Sequence, residues 1–148
     1  MSAQNRIRCL LAMLGTDVHT KGIRTLAQLL RDRGVEVIYL GEHNTIEGLV
    51  NSVIAEDVDL IGLSFSTAAY MYYAQDLMGA LRKAEVTDVP VMLGGLIHKD
   101  DEAGLLAMGV KGIFGPGSTT QQILEYMQRT TGKSIEPASN QAHRAPPA

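Results

Sequence analysis

The sequence predicts an α/β protein, a doubly wound five-stranded parallel sheet with helices on both faces. Five short apolar runs alternate with five helix-like segments. The apolar runs lack clean in-and-out alternation, as strands do when both faces of a sheet are covered. The helix-like segments also begin and end on recognisable capping residues.

Taken in order, the first strand is expected at Ile7–Leu14 and the first helix at Lys21–Arg33. Ile23, Leu26, Ala27, Leu29 and Leu30 form one apolar face of that helix, opposite Arg24, Gln28, Arg31 and Asp32. Gly34 stops it. Val35–Leu40 follows as the second strand, then Thr45 as N-cap of a helix over Ile46–Glu56. Leu60–Ser64 and Ala69–Lys83 make the third unit. Val89–Leu93 leads to a fourth helix, Asp100–Met108, opened by Asp100 or Asp101. Gly112–Phe114 and Thr119–Thr130 complete the fifth.

Five such units suit the flavodoxin-like (Rossmann-like) order 2-1-3-4-5, whose switch point lies between strands 1 and 3. The loop after the first strand then stands beside the loop after Ser64. From Gly132 onward prolines mix with small and polar residues without periodicity. The expected division is a folded domain over residues 1–131 and a disordered tail or linker over 132–148.

Composition narrows the function. The chain has 148 residues, 45% of them hydrophobic, enough for a single core. Its 13 basic and 16 acidic side chains are intermixed, no basic stripe appears, and aromatic residues are few, which argues against nucleic-acid binding. Cys9 is the lone cysteine and lies in an apolar run, so neither an internal disulfide nor a cysteine zinc site can form. No apolar run approaches the ~20 residues of a membrane span. Met1 to Arg8 looks unlike a secretion signal, so a cytoplasmic protein is expected.

The chemistry concentrates in Asp17-Val18-His19-Thr20-Lys21-Gly22, at the carboxyl edge of the first strand. A histidine there can reach a ligand above the sheet, and an aspartate two residues earlier can hold the far nitrogen of its ring. Gly22 allows close approach of backbone and ligand. Asp-x-His-x-x-Gly recurs by chance in about one chain of this size in a hundred, so it needs company.

Company exists. Ser64 stands in Gly62-Leu63-Ser64-Phe65-Ser66, and Gly94-Gly95 follows Val91-Met92-Leu93. Together these resemble the signature of cobalamin (B12)-binding domains: Asp-x-His-x-x-Gly after strand 1, Ser-x-Leu after strand 3, Gly-Gly after strand 4. The run Gly109 to Ser118 is similar to the fifth strand and following loop of methylmalonyl-CoA mutase-type enzymes. The resemblance covers about residues 6 to 131.

The resemblance implies a small subunit or C-terminal domain of an acyl-CoA mutase. His19 would be the lower axial cobalt ligand in place of the cofactor's own dimethylbenzimidazole, and Asp17 would bond the other ring nitrogen. The displaced nucleotide tail would run between strands 1 and 3, lined by Ser64 and passing Gly94 and Gly95. Thr20, Lys21, Gly22 and Ser66 complete the expected cofactor contacts, with Gly117, Ser118 and Thr119 near the tail. Ser118 is equally a plain N-cap, and the Gly-rich loop before it could cradle an anion on free amides. The implied cofactor is adenosylcobalamin, and the implied partner is a large subunit carrying an acyl-CoA-binding barrel, without which this chain would not turn over.

Some positions depart from the family pattern. Ser66 replaces the Leu of Ser-x-Leu, and Val18 stands where acyl-CoA mutases often carry Gly. Tyr70, Tyr72 and Tyr73 crowd the start of the third helix, and His98 and Lys99 follow the double glycine. They could meet the tail, the corrin or a partner, or serve packing and solvation alone. His43 and His143 belong to no motif. A corrinoid methyl carrier, a cobalamin-binding sensor and a glutamate-mutase small subunit are alternative readings. The methyl carriers usually place a helical segment ahead of the cobalamin domain. A phospho-receiver is disfavoured, because its acceptor Asp would end strand 3 where Ser64 stands.

Overall fold

The computed structural model describes residues 6–15 and 20–136. Strands β1 (Arg8–Leu14), β2 (Glu36–Asn44), β3 (Leu60–Phe65), β4 (Val91–Gly95) and β5 (Gly112–Phe114) form one parallel sheet in the order β2-β1-β3-β4-β5. Helices α1 (Lys21–Asp32), α2 (Ile46–Glu56), α3 (Tyr70–Lys83), α4 (Glu102–Met108) and α5 (Thr120–Thr131) alternate with them. The topology is the doubly wound one expected.

Side-chain parity along β1 splits the core in two, because successive residues of a strand face opposite sides. Leu10, Ala12 and Leu14 join the core beneath α2, α3 and α4. Ile7, Cys9, Leu11 and Met13 join the core beneath α1 and α5. Six of the seven β1 residues are buried, so an uninterrupted apolar run is what a central strand requires.

The ends of elements differ from expectation for local reasons. β2 runs on to Asn44, because its pairing with β1 is irregular after Leu11. Gly41 and His43 there take positive φ, 72° and 64°. Asn44 closes the irregularity, its side-chain amide donating to the carbonyls of Met13 (3.0 Å) and Gly41 (2.8 Å). β4 starts at Val91, since Pro90 has no N–H to give a ladder. Asp100 and Asp101 fall in a 3-10 turn ahead of α4, and the side chain capping that turn is His98. Thr45 caps α2 as expected, its hydroxyl accepting from the Gly48 amide.

Residues 132–136, grouped with the tail on composition, pack on the body. Ile135 is buried, Lys133 pairs with Asp59 at 2.9 Å, and the Glu136 carbonyl accepts from Arg33. Residues 137–148 lie outside the described residues.

Candidate functional site

Strand register builds a hollow at the carboxyl end of the sheet, on its α1/α5 side. Leu11, Gly62, Met92 and Gly112 are successive partners in one row across β1, β3, β4 and β5. One pleat nearer the carboxyl edge, Ser64, Gly94 and Phe114 form the next row. Gly62, Gly94 and Ser64 cannot fill the space under the helices. What remains is a cavity of about 260 Å³, roofed by Ile23, Leu26 and Leu29 of α1 and by Thr120 and Ile123 of α5. Its walls are mostly aliphatic, with Ser64, Thr25 and Thr120 as the polar side chains among its lining.

The glycines are there for different reasons. A Cβ on Gly62 would come within 2.6 Å of Leu11 Cδ2 and 2.9 Å of Met92 Cε, so a side chain there would have to push those two side-chain ends aside. Gly95 has φ +105°, and a Cβ there would strike the Phe65 backbone, so the turn itself demands glycine. Gly94 is otherwise. Its Cβ would meet nothing closer than the Phe114 carbonyl at 3.6 Å, an ordinary contact. The fold does not require glycine at 94, whereas a ligand passing over it would.

The start of α1 borders the cavity. Gly22 lines it, and a side chain at 22 would meet nothing within 4 Å. Thr20 is half-buried at the N-cap position of α1 and Lys21 is exposed. Asp17, Val18 and His19 lie outside the described residues. The root of their loop is firmly held. Gly15 donates its amide to the Asn44 carbonyl at 3.1 Å, and its missing side chain makes room for the Tyr73 phenol.

Other expected site residues are less central. Ser66 sits half-buried just past β3 and does not line the cavity. Gly117 and Ser118 are exposed in the loop before α5, with Gly117 at φ +91°. The cap of α5 is Thr119 rather than Ser118. Thr119 and Gln122 exchange side-chain-to-backbone bonds of 3.2 and 2.8 Å, a capping box that already uses two amides an anion could have taken. Sequence reading missed Gly62, Phe114 and the aliphatic roof. The signal for Gly62 was parity: it stands two residues before Ser64 and so shares its face.

Tyr70, Tyr72 and Tyr73 divide their roles. Tyr72 is 66% exposed beside the carboxyl edge, and Tyr73 stacks on Phe65 with centroids 6.2 Å apart. Tyr70 is buried, and the Asp101 carboxylate accepting from its hydroxyl pushes that phenol above its ordinary range. The Cys9 thiol, fully buried, is pushed up strongly, first by desolvation and then by Asp59.

A sequence profile described as the B12 binding domain matches residues 7–125. The chain belongs to that family. Among curated relatives, the pivalyl-CoA mutase small subunit of Xanthobacter autotrophicus is 39% identical over 86% of this chain and 86% of its own length. The 2-hydroxyisobutanoyl-CoA mutase small subunit of Aquincola tertiaricarbonis is 34% identical over 82% of this chain and 90% of its own. Among solved structures, a novel cobalamin-binding protein from Desulfitobacterium hafniense DCB-2 superposes with a TM-score of 0.74 at 20% identity. That match covers 86% of this chain and 60% of the other, and it shows the shared fold. Within this B12-binding domain, no helix among the described residues is long and apolar enough to cross a membrane.

Proposed function

We propose that this chain is the cobalamin-binding subunit of an adenosylcobalamin-dependent acyl-CoA mutase, working with a separate large subunit that holds the acyl-CoA in a barrel. The single observation that carries the reading is the hollow made by Gly62, Ser64 and Gly94 in adjacent register rows, with Gly22 among its lining residues. At about 260 Å³ it lies just under the ~300 Å³ lower end of small-ligand pockets. It therefore suits one aromatic arm of a large ligand rather than the whole. A mostly aliphatic slot with the Ser64 hydroxyl on its strand side matches a benzimidazole, whose faces are apolar and whose free nitrogen accepts a hydrogen bond.

In this reading His19 would ligate cobalt and Asp17 would fix its ring through the opposite nitrogen. Thr20, Lys21 and Gly22 border the cavity, Ser64 donates to the tail's benzimidazole nitrogen, and Gly94 leaves room for it. Gly95, Ser66, Gly117 and Ser118 serve as outer contacts. Adenosylcobalamin, when bound, supplies the carbon radical needed for carbon-skeleton rearrangement. This chain's share is to bind, orient and exclude water, within a cytoplasmic domain that includes residues 132–136. Family membership and the mutase small subunits among its relatives support the mutase reading over a methyl carrier or a sensor.

The test is spectroscopic. Purified protein mixed with hydroxocobalamin should give the ultraviolet-visible and, after reduction to Co(II), the EPR signature of cobalt bound by imidazole with benzimidazole released. His19→Ala should abolish that signature. Identical spectra for the two proteins, or benzimidazole still on cobalt in the wild type, would refute the assignment. Asp17→Asn should weaken binding about 10- to 100-fold, as loss of a ligand's orienting partner does.

A further inference from the structure

We infer that Tyr70 is a positioning residue for the cofactor's nucleotide tail, acting through the loop that joins β4 to α4. The inference rests on the cobalamin reading above. Tyr70 opens α3 and is 4% exposed, with its ring tilted on Phe65 at 6.3 Å between centroids. Its hydroxyl is used in both directions. It donates to the carboxylate of Asp101, 31 residues away, and accepts the backbone N–H of His98 at 2.9 Å. The His98 ring turns back on its own segment and accepts from the Asp100 amide at 3.1 Å.

One phenol therefore ties down both ends of the segment 98–101. The stretch just before it is anchored from below. Leu96 donates its amide to the Phe65 carbonyl at 2.8 Å, and Ile97 is buried. Between these anchors and the cavity stand Gly94 and Gly95, the two residues that form its wall at this edge. Sheet pairing holds Gly94 between Ser64 and Phe114 and Gly95 beside Phe65, but the chain leaves the sheet at Gly95, whose φ of +105° depends on where the following segment is held. The Tyr70 clamp holds that following segment at residues 98 and 101, and the ordering is done before a ligand arrives, which lowers the entropic cost of binding.

The sequence neighbourhood offers no other candidate for the task. Tyr72 points outward and Tyr73 is committed to Phe65 and Gly15. Removing the Tyr70 hydroxyl alone should leave the fold intact while freeing the His98 amide and loosening the wall.

Tyr70→Phe keeps the ring and deletes only the hydroxyl, and Asp101→Ala removes the other half of the clamp. Both are titrated with hydroxocobalamin and with cobinamide, a corrin that lacks the nucleotide tail. Hydroxocobalamin should bind each variant about three- to tenfold more weakly, the worth of one net hydrogen bond. Cobinamide should bind within twofold of wild type, and hydrogen exchange at the His98 amide should quicken. Unchanged hydroxocobalamin binding in both variants would overturn the inference and leave the cobalamin reading standing. An equal loss for the two corrins would also overturn it, since a general structural role would weaken both alike. Failure of the wild type to bind either corrin would instead sink the cobalamin reading and this inference with it.

Discussion

Ser64 and Gly94 are register partners on neighbouring strands, on the face of the sheet that α1 and α5 cover. Neither fills the volume above it. The adjacent row, with Gly62 between Leu11 and Met92, sets the floor. The site is thus a deficit of side chain placed where two parallel strands expose their carboxyl ends.

Gly94 and Gly95 should respond oppositely to alanine. Gly94→Ala adds a Cβ with only ordinary contacts, so thermal stability should change little while hydroxocobalamin affinity falls at least tenfold. Gly95→Ala forces a side chain to φ +105° against the Phe65 carbonyl and should destabilise by roughly 1–3 kcal/mol or more. Denaturation midpoints and binding titrations on both variants check this. A stable, non-binding Gly95→Ala beside an unstable Gly94→Ala would reverse the roles assigned here.

Gly62→Ala should displace the side-chain ends at the cavity floor, costing at most about 1–3 kcal/mol. Leu11 Cδ2 and Met92 Cε stand where the new methyl must go. Pairing it with Met92→Ala should recover part of that loss, and a double-mutant cycle in urea measures how much. Strict additivity of the two substitutions would mean that Met92 is not the obstacle.

Thr119→Ala should cost about 1 kcal/mol through loss of the capping box on α5. Ser118→Ala should be nearly neutral for stability, because Ser118 caps nothing there. Equal losses in urea unfolding would return Ser118 to the capping role that its sequence position suggested.

Cys9 gives a pH signature. Burial holds its thiol protonated well above the ordinary value of 9.0, so its share of stability is complete below that pH. As pH rises past 9.0 the unfolded chain releases the proton and the folded chain does not. Stability then falls, by at most about 1.4 kcal/mol per pH unit, until the folded thiol itself ionises. Between about pH 8.5 and 10 the unfolding free energy of Cys9→Ala should decline less steeply than that of wild type. Iodoacetamide should label wild type only after denaturation. Rapid labelling of the folded protein, or parallel slopes, would show that the thiol is not sealed in the core.

Much of this was legible along the chain because it depends on neighbours in sequence. Helix α2 matches its expected bounds, and its cap Thr45 bonds an amide three residues on. The apolar run of β1 is legible because both faces of a central strand are covered. The reach of β2 to Asn44 was not. It depends on a ladder irregularity and on Asn44 bonding a carbonyl of another strand. Nor was the packing of residues 132–136, where Ile135 finds its core partners only after the sheet has formed.

The chain alone determined the order of elements, the parallel sheet and the grouping of an Asp-x-His-x-x-Gly loop with a serine and a double glycine. Periodicity, caps and short motifs are local, so they survive reading in one dimension. Tertiary structure decided that Gly62 and Gly94 share one hollow, that Gly95 serves a turn, that Thr119 caps α5, and that Tyr70 clamps a loop 28 residues away. Those outcomes depend on register and on contacts between distant segments. They exist only once the strands have aligned and the helices have closed over them.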